Sequence, residues 1–124
     1  MKIEGIIVSG LGRAKHFVNM MREPFFKRYN KQLYEGTLNI KLEKELFINS
    51  QEIIGKNEYG GTQNVLIQKC KIFNEEAFIV RAEKNNKLGG DYNLNIIEIV
   101  AEEKLRDKYN IKDGDKIIIT IQTF

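Results

Sequence analysis

Two short segments of this 124-residue chain carry side chains suited to chemistry. The first, Ser9-Gly10-Leu11-Gly12-Arg13-Ala14-Lys15-His16-Phe17, joins a glycine-containing turn to basic residues. Glycines let a backbone approach a ligand closely and aim successive N–H groups into one concavity, which suits a polyphosphate. Arg13 and Lys15 add charge, and a guanidinium can grip phosphate oxygens as a fork. The second segment, Tyr34-Glu35-Gly36-Thr37-Leu38-Asn39, places Thr37 and Asn39 two residues apart on a stretch that reads as extended. Both side chains then project from one face. A hydroxyl and an amide carbonyl are hard, neutral oxygen donors, of the kind that Mg²⁺ accepts when it arrives with phosphate. A phosphate loop and a metal rung in one small domain suggest nucleotide chemistry. Taken singly, each also has a plainer reading, as an exposed basic turn and as the polar face of an ordinary strand.

Other chemistries find little support. His16 is the only histidine, and no Ser–His pairing or carboxylate dyad points to nucleophilic catalysis. Cys70 is the only cysteine, so an intrachain disulfide and a thiolate metal site are both excluded. Its place in the alternating run from Val65 to Ile72 predicts packing rather than reactivity. The net charge of +3 is too small to argue for nucleic acid. Its distribution says more: residues 1–41 hold eight Lys/Arg against three Glu, net +5, and the remainder is net −2. A basic first third fits an anionic ligand near the glycine turn. No signal peptide is evident, and no apolar run approaches the roughly 20 residues of a membrane span, so a cytoplasmic protein away from membranes is expected.

The elements that must position these groups read mostly as strands. Ile3 to Val8 is rich in β-branched residues, and Phe17-Val18 resumes an extended run after the glycine turn. Phe25, Tyr29 and Leu33 recur with helical spacing, and Pro24 is acceptable in a first turn. Thr37 to Leu42 alternates as a strand, while Phe47-Ile48 and Glu52 to Ile54 are weaker candidates. Asn64 to Ile72 and Ala77 to Arg81 read as a hairpin around Asn74-Glu75-Glu76. Lys84 to Asn95 reads as a long polar loop, followed by a strand from Asn95 to Val100 and a short helix from Glu102 to Tyr109. Lys112-Asp113-Gly114-Asp115 is a turn into the last strand, Ile117 to Ile121. Many short strands without βαβ alternation predict one mainly β domain over residues 1–124, a barrel with two short helices.

In order and spacing these segments resemble the archaeal CTP-dependent riboflavin kinases. The resemblance runs through the glycine turn after Val8-Ser9, the helix leading to Tyr34, Gly36-Thr37-Leu38-Asn39, Glu98-Ile99-Val100-Ala101, Lys104-Leu105-Arg106 and Ile111-Lys112-Asp113-Gly114-Asp115. It implies a compact six-stranded cradle-loop barrel akin to that of riboflavin synthase. It also implies transfer of the γ-phosphoryl group of CTP to the 5′-hydroxyl of riboflavin, with FMN and CDP as products. By position, Gly10, Leu11, Gly12, Arg13, Ala14, Lys15 and His16 would wrap the nucleotide phosphates. Glu103, Lys104, Leu105 and Arg106 would meet its cytidine side. Thr37 and Asn39 would hold one Mg²⁺ ion, and Glu98 would face the ribityl chain as the candidate catalytic group. The chain departs from the family at Ala14, where a second glycine is usual, and at Glu102, where a proline is usual. The region before Glu98 is longer, and Asn85 stands in place of a flavin-contacting threonine.

Two other readings compete: a relative that binds flavin or nucleotide without turnover, and a small β-barrel that binds nucleic acid. Aromatics on a helical stripe and a modest net charge count against the second. The expectation is a monomer that binds CTP and riboflavin and neither nucleic acid nor membrane.

Overall fold

The structure, a computed structural model, describes residues 1–10, 14–49, 52–89 and 93–122. Seven strands and three helices follow the chain: β1 (Lys2–Val8), α1 (Ala14–Tyr29), β2 (Leu38–Leu42), β3 (Glu52–Ile54), α2 (Lys56–Tyr59), β4 (Val65–Ile72), β5 (Glu75–Ala82), β6 (Ile96–Val100), α3 (Leu105–Lys108) and β7 (Lys116–Ile121). The sheet order is β3-β4-β5-β6-β2-β1-β7, and β7 also pairs with β4. Six antiparallel strands thus close into a barrel, with β3 as an extra strand on β4. Closure removes the exposed edges that an open sheet would leave for aggregation.

Alternation explains the barrel's interior. In register, Ile7 faces Ile40 and Ile40 faces Ile97, while Leu38 faces Ile99 and Ile99 faces Ile79. All six belong to one buried cluster with Cys70, Ile72, Ile117 and Ile119. Burial pushes the Cys70 thiol up to about 12, so it is a packing group held in its neutral form.

A second cluster lies on the outer wall. Val18, Met21 and Phe25 of α1 pack on Ile67, Phe78, Val80 and Val100. Because α1 covers this wall, β5 is buried on both faces from Ala77 to Arg81. Phe25 meets Phe78 edge-on with ring centroids 5.1 Å apart.

Several local expectations are corrected. Three helices form rather than two, and α1 starts well before Phe25. Phe17-Val18 is helical because Val18, Met21 and Phe25 share one buried face at helical spacing. Pro24 therefore sits inside α1, buried against the wall, instead of in its first turn. Asn30, at φ 56°, ends the helix in the left-handed conformation. The β4–β5 hairpin turns on Phe73 and Asn74, both at positive φ as a two-residue type I′ turn requires, and Glu75 already pairs with Ile72. Phe47-Ile48 is not a strand, and helix α3 is shorter than 102–109 because Glu102 instead accepts from Gln32 N and pairs with Lys31.

The outer cluster gives a direct test. Phe25→Ala should lower stability by about 3–5 kcal/mol in urea unfolding. Phe26→Ala, next to it but exposed, should stay within about 0.5 kcal/mol. Equal costs at the two positions would show that α1 does not pack on the wall as described.

Candidate functional site

One row of the sheet crosses four strands: Val8 of β1 faces Asn39 of β2, Asn39 faces Glu98 of β6, and Glu98 faces Val80 of β5. Directly opposed residues share a face. The neighbouring positions Ile7, Ile40, Ile97 and Ile79 point into the barrel, so this row stands on its outer wall. Asn39 and Glu98, separated by 59 positions in sequence, become immediate cross-strand neighbours. Thr37 is half-buried just before β2, on the same alternation as Asn39.

The glycine turn meets this row. A Cβ on Gly10 would lie 2.3 Å from Nδ2 of Asn39, so the backbone there passes directly over the Asn39 amide. A larger residue at position 10 would push the Asn39 amide aside. Leu11, Gly12 and Arg13 lie outside the described residues. Ala14 opens α1, with Lys15 and His16 exposed in its first turn. No acid occupies that turn, so the amino-terminal end of α1 keeps its positive dipole for an anion. A helix therefore begins at Ala14, which supplies helix N–H groups that an extended Phe17-Val18 would have lacked. Lys15 Nζ lies 3.5 Å from Glu35 Oε1 across an exposed gap, a weak link between α1 and the approach to β2.

The residues assigned to the cytidine side crown the same rim. Lys104 caps α3 with an extended backbone, Leu105 is buried, and Glu103 is exposed. Arg106 is committed to structure: its Nη2 donates to the Val8 carbonyl at 3.2 Å and to Asp113 Oδ1 at 2.6 Å. Ser9 Oγ donates to the other oxygen of Asp113. The hydrogen bonds from Ser9 and Arg106 hold the Asp113 carboxyl below its ordinary range. Gly114 N donates to Ile7 O at 2.8 Å, and Ile7 N donates to Asp115 O at 2.9 Å. The Lys112–Asp115 turn thus clamps the end of β1 just before Gly10. The sequence shows this segment only as a turn into the last strand; its clamp on β1 depends on Asp113 and on backbone contacts distant in sequence.

Glu98 is mostly shielded from water. Burial raises its carboxyl above the ordinary range, and the Arg81 charge partly opposes that. Arg81 is itself buried under the opposite rim, donating to the carbonyls of Leu46, Leu94 and Ile96 and to Asn86 Oδ1. Asn86 in turn bonds both backbone groups of Ile48, accepting from N and donating to O, each at 3.0 Å. Asn85 ends a 3-10 turn, Glu83–Asn85, beyond β5 and is five residues past Val80, the partner of Glu98. The structure therefore gathers Gly10, Asn39 and Glu98 closely and leaves Asn85 at the far rim. Sequence reasoning missed Arg81 and Asn86, because apart from each other their partners are backbone groups distant in sequence. A cavity of about 270 Å³ under the other end of α1, lined by Arg28, Lys31, Lys69 and Phe78 among others, contains none of the site residues.

Comparison with known proteins identifies the family. The family model CTP-dep_RFKase, described as a domain of unknown function, DUF120, matches residues 7–121. Riboflavin kinase of Methanosphaera stadtmanae is 34% identical, with 98% of this chain and 98% of that protein covered. Riboflavin kinase of Staphylothermus marinus is 30% identical, with coverage of 98% and 92%. Riboflavin kinase of Archaeoglobus fulgidus is 27% identical, but the chain spans only 54% of that longer protein. The chain belongs to the CTP-dependent riboflavin kinase family.

Proposed function

We propose that this chain transfers the γ-phosphoryl group of CTP to the 5′-hydroxyl of riboflavin, giving FMN and CDP. The observation that carries the reading is the meeting of Gly10, Asn39 and Glu98 on one outer wall beside the amino-terminal end of α1. Phosphoryl transfer asks little covalent work of a protein and depends on positioning and charge neutralisation. The ribityl oxygen attacks the γ-phosphorus, the bond from that phosphorus to the β–γ bridging oxygen breaks, and CDP leaves. Glu98 orients the hydroxyl and takes its proton; its desolvated carboxylate is a better base than an exposed one. Lys15 and the first turn of α1 face the phosphates. Backbone groups at Lys104 and Leu105 read the base, while Arg106 fixes the rim on which they sit.

The residues present fit one Mg²⁺ ion. Thr37 and Asn39 would hold it through neutral oxygens, and bound with the triphosphate it would offset charge on the β- and γ-phosphates. Neutral donors make that affinity depend on the nucleotide. Asn85 remains the proposed flavin contact from the far rim.

Purified protein mixed with riboflavin, Mg²⁺ and CTP should yield FMN by chromatography, and ATP in a parallel tube should not. A folded protein that forms no FMN from either donor would contradict the reading; tight FMN binding without turnover would then identify a binding relative.

Asn39→Ala should lower kcat/KM by about 100-fold or more while the protein stays folded. Gly10→Ala forces the Asn39 amide aside and should cost activity about tenfold or more, with a stability change within about 0.5 kcal/mol. Near-wild-type rates for both variants would remove Asn39 from the metal rung.

Burial of Glu98 has its own signature in the metal-free protein. Its folded carboxyl binds a proton at pH values where the unfolded one has lost it, so this group makes stability fall as pH rises through that window. The slope begins at the ordinary carboxylate value and ends above the raised folded value. Glu98→Gln should remove this slope, matching wild type in acid and exceeding it near pH 7. Parallel unfolding curves across pH for the two proteins would contradict the burial argument.

A further inference from the structure

The Gly60-Gly61 turn and the aromatics around it have no role in the mechanism above, yet they are built with care. A Cβ on Gly61 would lie 2.1 Å from two carbons of the Tyr59 ring, so the ring is laid across a bare backbone. Tyr59 Oη donates to the Gln63 carbonyl at 2.5 Å, which fixes the ring's far end. Gly60, at φ 76°, makes the reversal that brings this backbone under the ring. The immobilised ring then meets Phe17, one residue after His16, in an edge-to-face pair with centroids 6.4 Å apart and planes at 82°.

Both rings keep part of their surface open to solvent. They pack, with Ala14, against the outer cluster that contains Val80, and Val80 is the register partner of Glu98. A rigid aromatic corner therefore borders the wall on which the phosphoryl acceptor must lie. An aromatic pair whose only purpose was to seat α1 would gain more by being buried, as Phe25 and Phe78 are.

We propose that Phe17 and Tyr59 form the aromatic wall that receives the isoalloxazine ring of riboflavin, setting acceptor specificity beside Glu98. This rests on the riboflavin kinase reading and deepens it. The acceptor is a large planar heteroaromatic joined to a polar chain. A preformed aromatic corner recognises the ring at low entropic cost, while Glu98 addresses the hydroxyl end. The phosphates are proposed to meet Lys15 and the N–H groups of the same helix turn, which leaves the Phe17 ring to the acceptor.

The test is steady-state kinetics together with flavin fluorescence. Phe17→Leu keeps the apolar volume that packs on the barrel and removes the flat face. It should raise KM for riboflavin about fivefold or more, leave KM for CTP unchanged, and be rescued by Phe17→Tyr. Tyr59→Phe keeps the shape but removes the phenol that quenches a stacked flavin, so bound FMN should brighten without a comparable loss of affinity. Equal rises in both KM values, or no change in KM and fluorescence in an active enzyme, would overturn the proposal and leave the pair as packing for α1. Wild-type protein that neither binds riboflavin nor makes FMN would instead remove the kinase reading on which the proposal stands.

Discussion

The register of β2 between β1 and β6 is the constraint on which the site depends. Side chains in a strand alternate faces, so a slip of one residue would turn Asn39 into the barrel and expose Ile40. The buried Leu38, Ile40 and Leu42 of β2 forbid that slip, since it would trade them for Asn39 and Lys41 in the barrel's interior. The same apolar burial that closes the barrel thus places Asn39 opposite Glu98 and beneath Gly10. Core and site are alternate positions of the same three strands.

Electrostatics at the site are more local than the composition suggests. Much of the basic excess in the first third is already engaged far from Gly10. Lys27 pairs with Glu23, Arg28 with Glu58, and Lys31 with both Glu76 and Glu102. These exposed pairs add little stability, but they offset the field of three of the eight cations. Arg106 is spent on Asp113 and Val8. Among the described residues that follow Gly10, Lys15 in the first turn of α1 has only an exposed pair with Glu35, which leaves it to the proposed phosphate role.

The parts of this arrangement that could be read from the sequence are those written in local alternation. Leu38 to Leu42 and Val65 to Ile72 announce their strands, and Thr37 with Asn39 announce a shared polar face. The start of α1 was hidden because Phe17-Val18 suits strand and helix alike, and because Pro24 invites a helix start that the tertiary packing overrides. The hairpin turn was misplaced by two residues because Phe73 is an unusual occupant of a left-handed position. Its ring stacks on Tyr109 with centroids 4.3 Å apart, a contact between distant segments that offsets the local cost. The far rim was illegible for a similar reason: Arg81 bonds carbonyls 13 to 35 residues away, and Asn86 rather than Asn85 does the fastening.

Helix α1 joins these threads. Its middle is fixed to the barrel by Met21 and Phe25, whereas its first turn is half-exposed or exposed. A helix is stiff over such a length, so anchoring one stretch aims the other without contacts dedicated to the purpose. The arrangement separates two demands that conflict at a phosphate site. Stability requires buried apolar surface, and anion binding requires bare N–H groups that no neighbouring side chain has satisfied. On the proposed function, placing them at different turns of one helix lets the packed middle of α1 hold its first turn toward the phosphates.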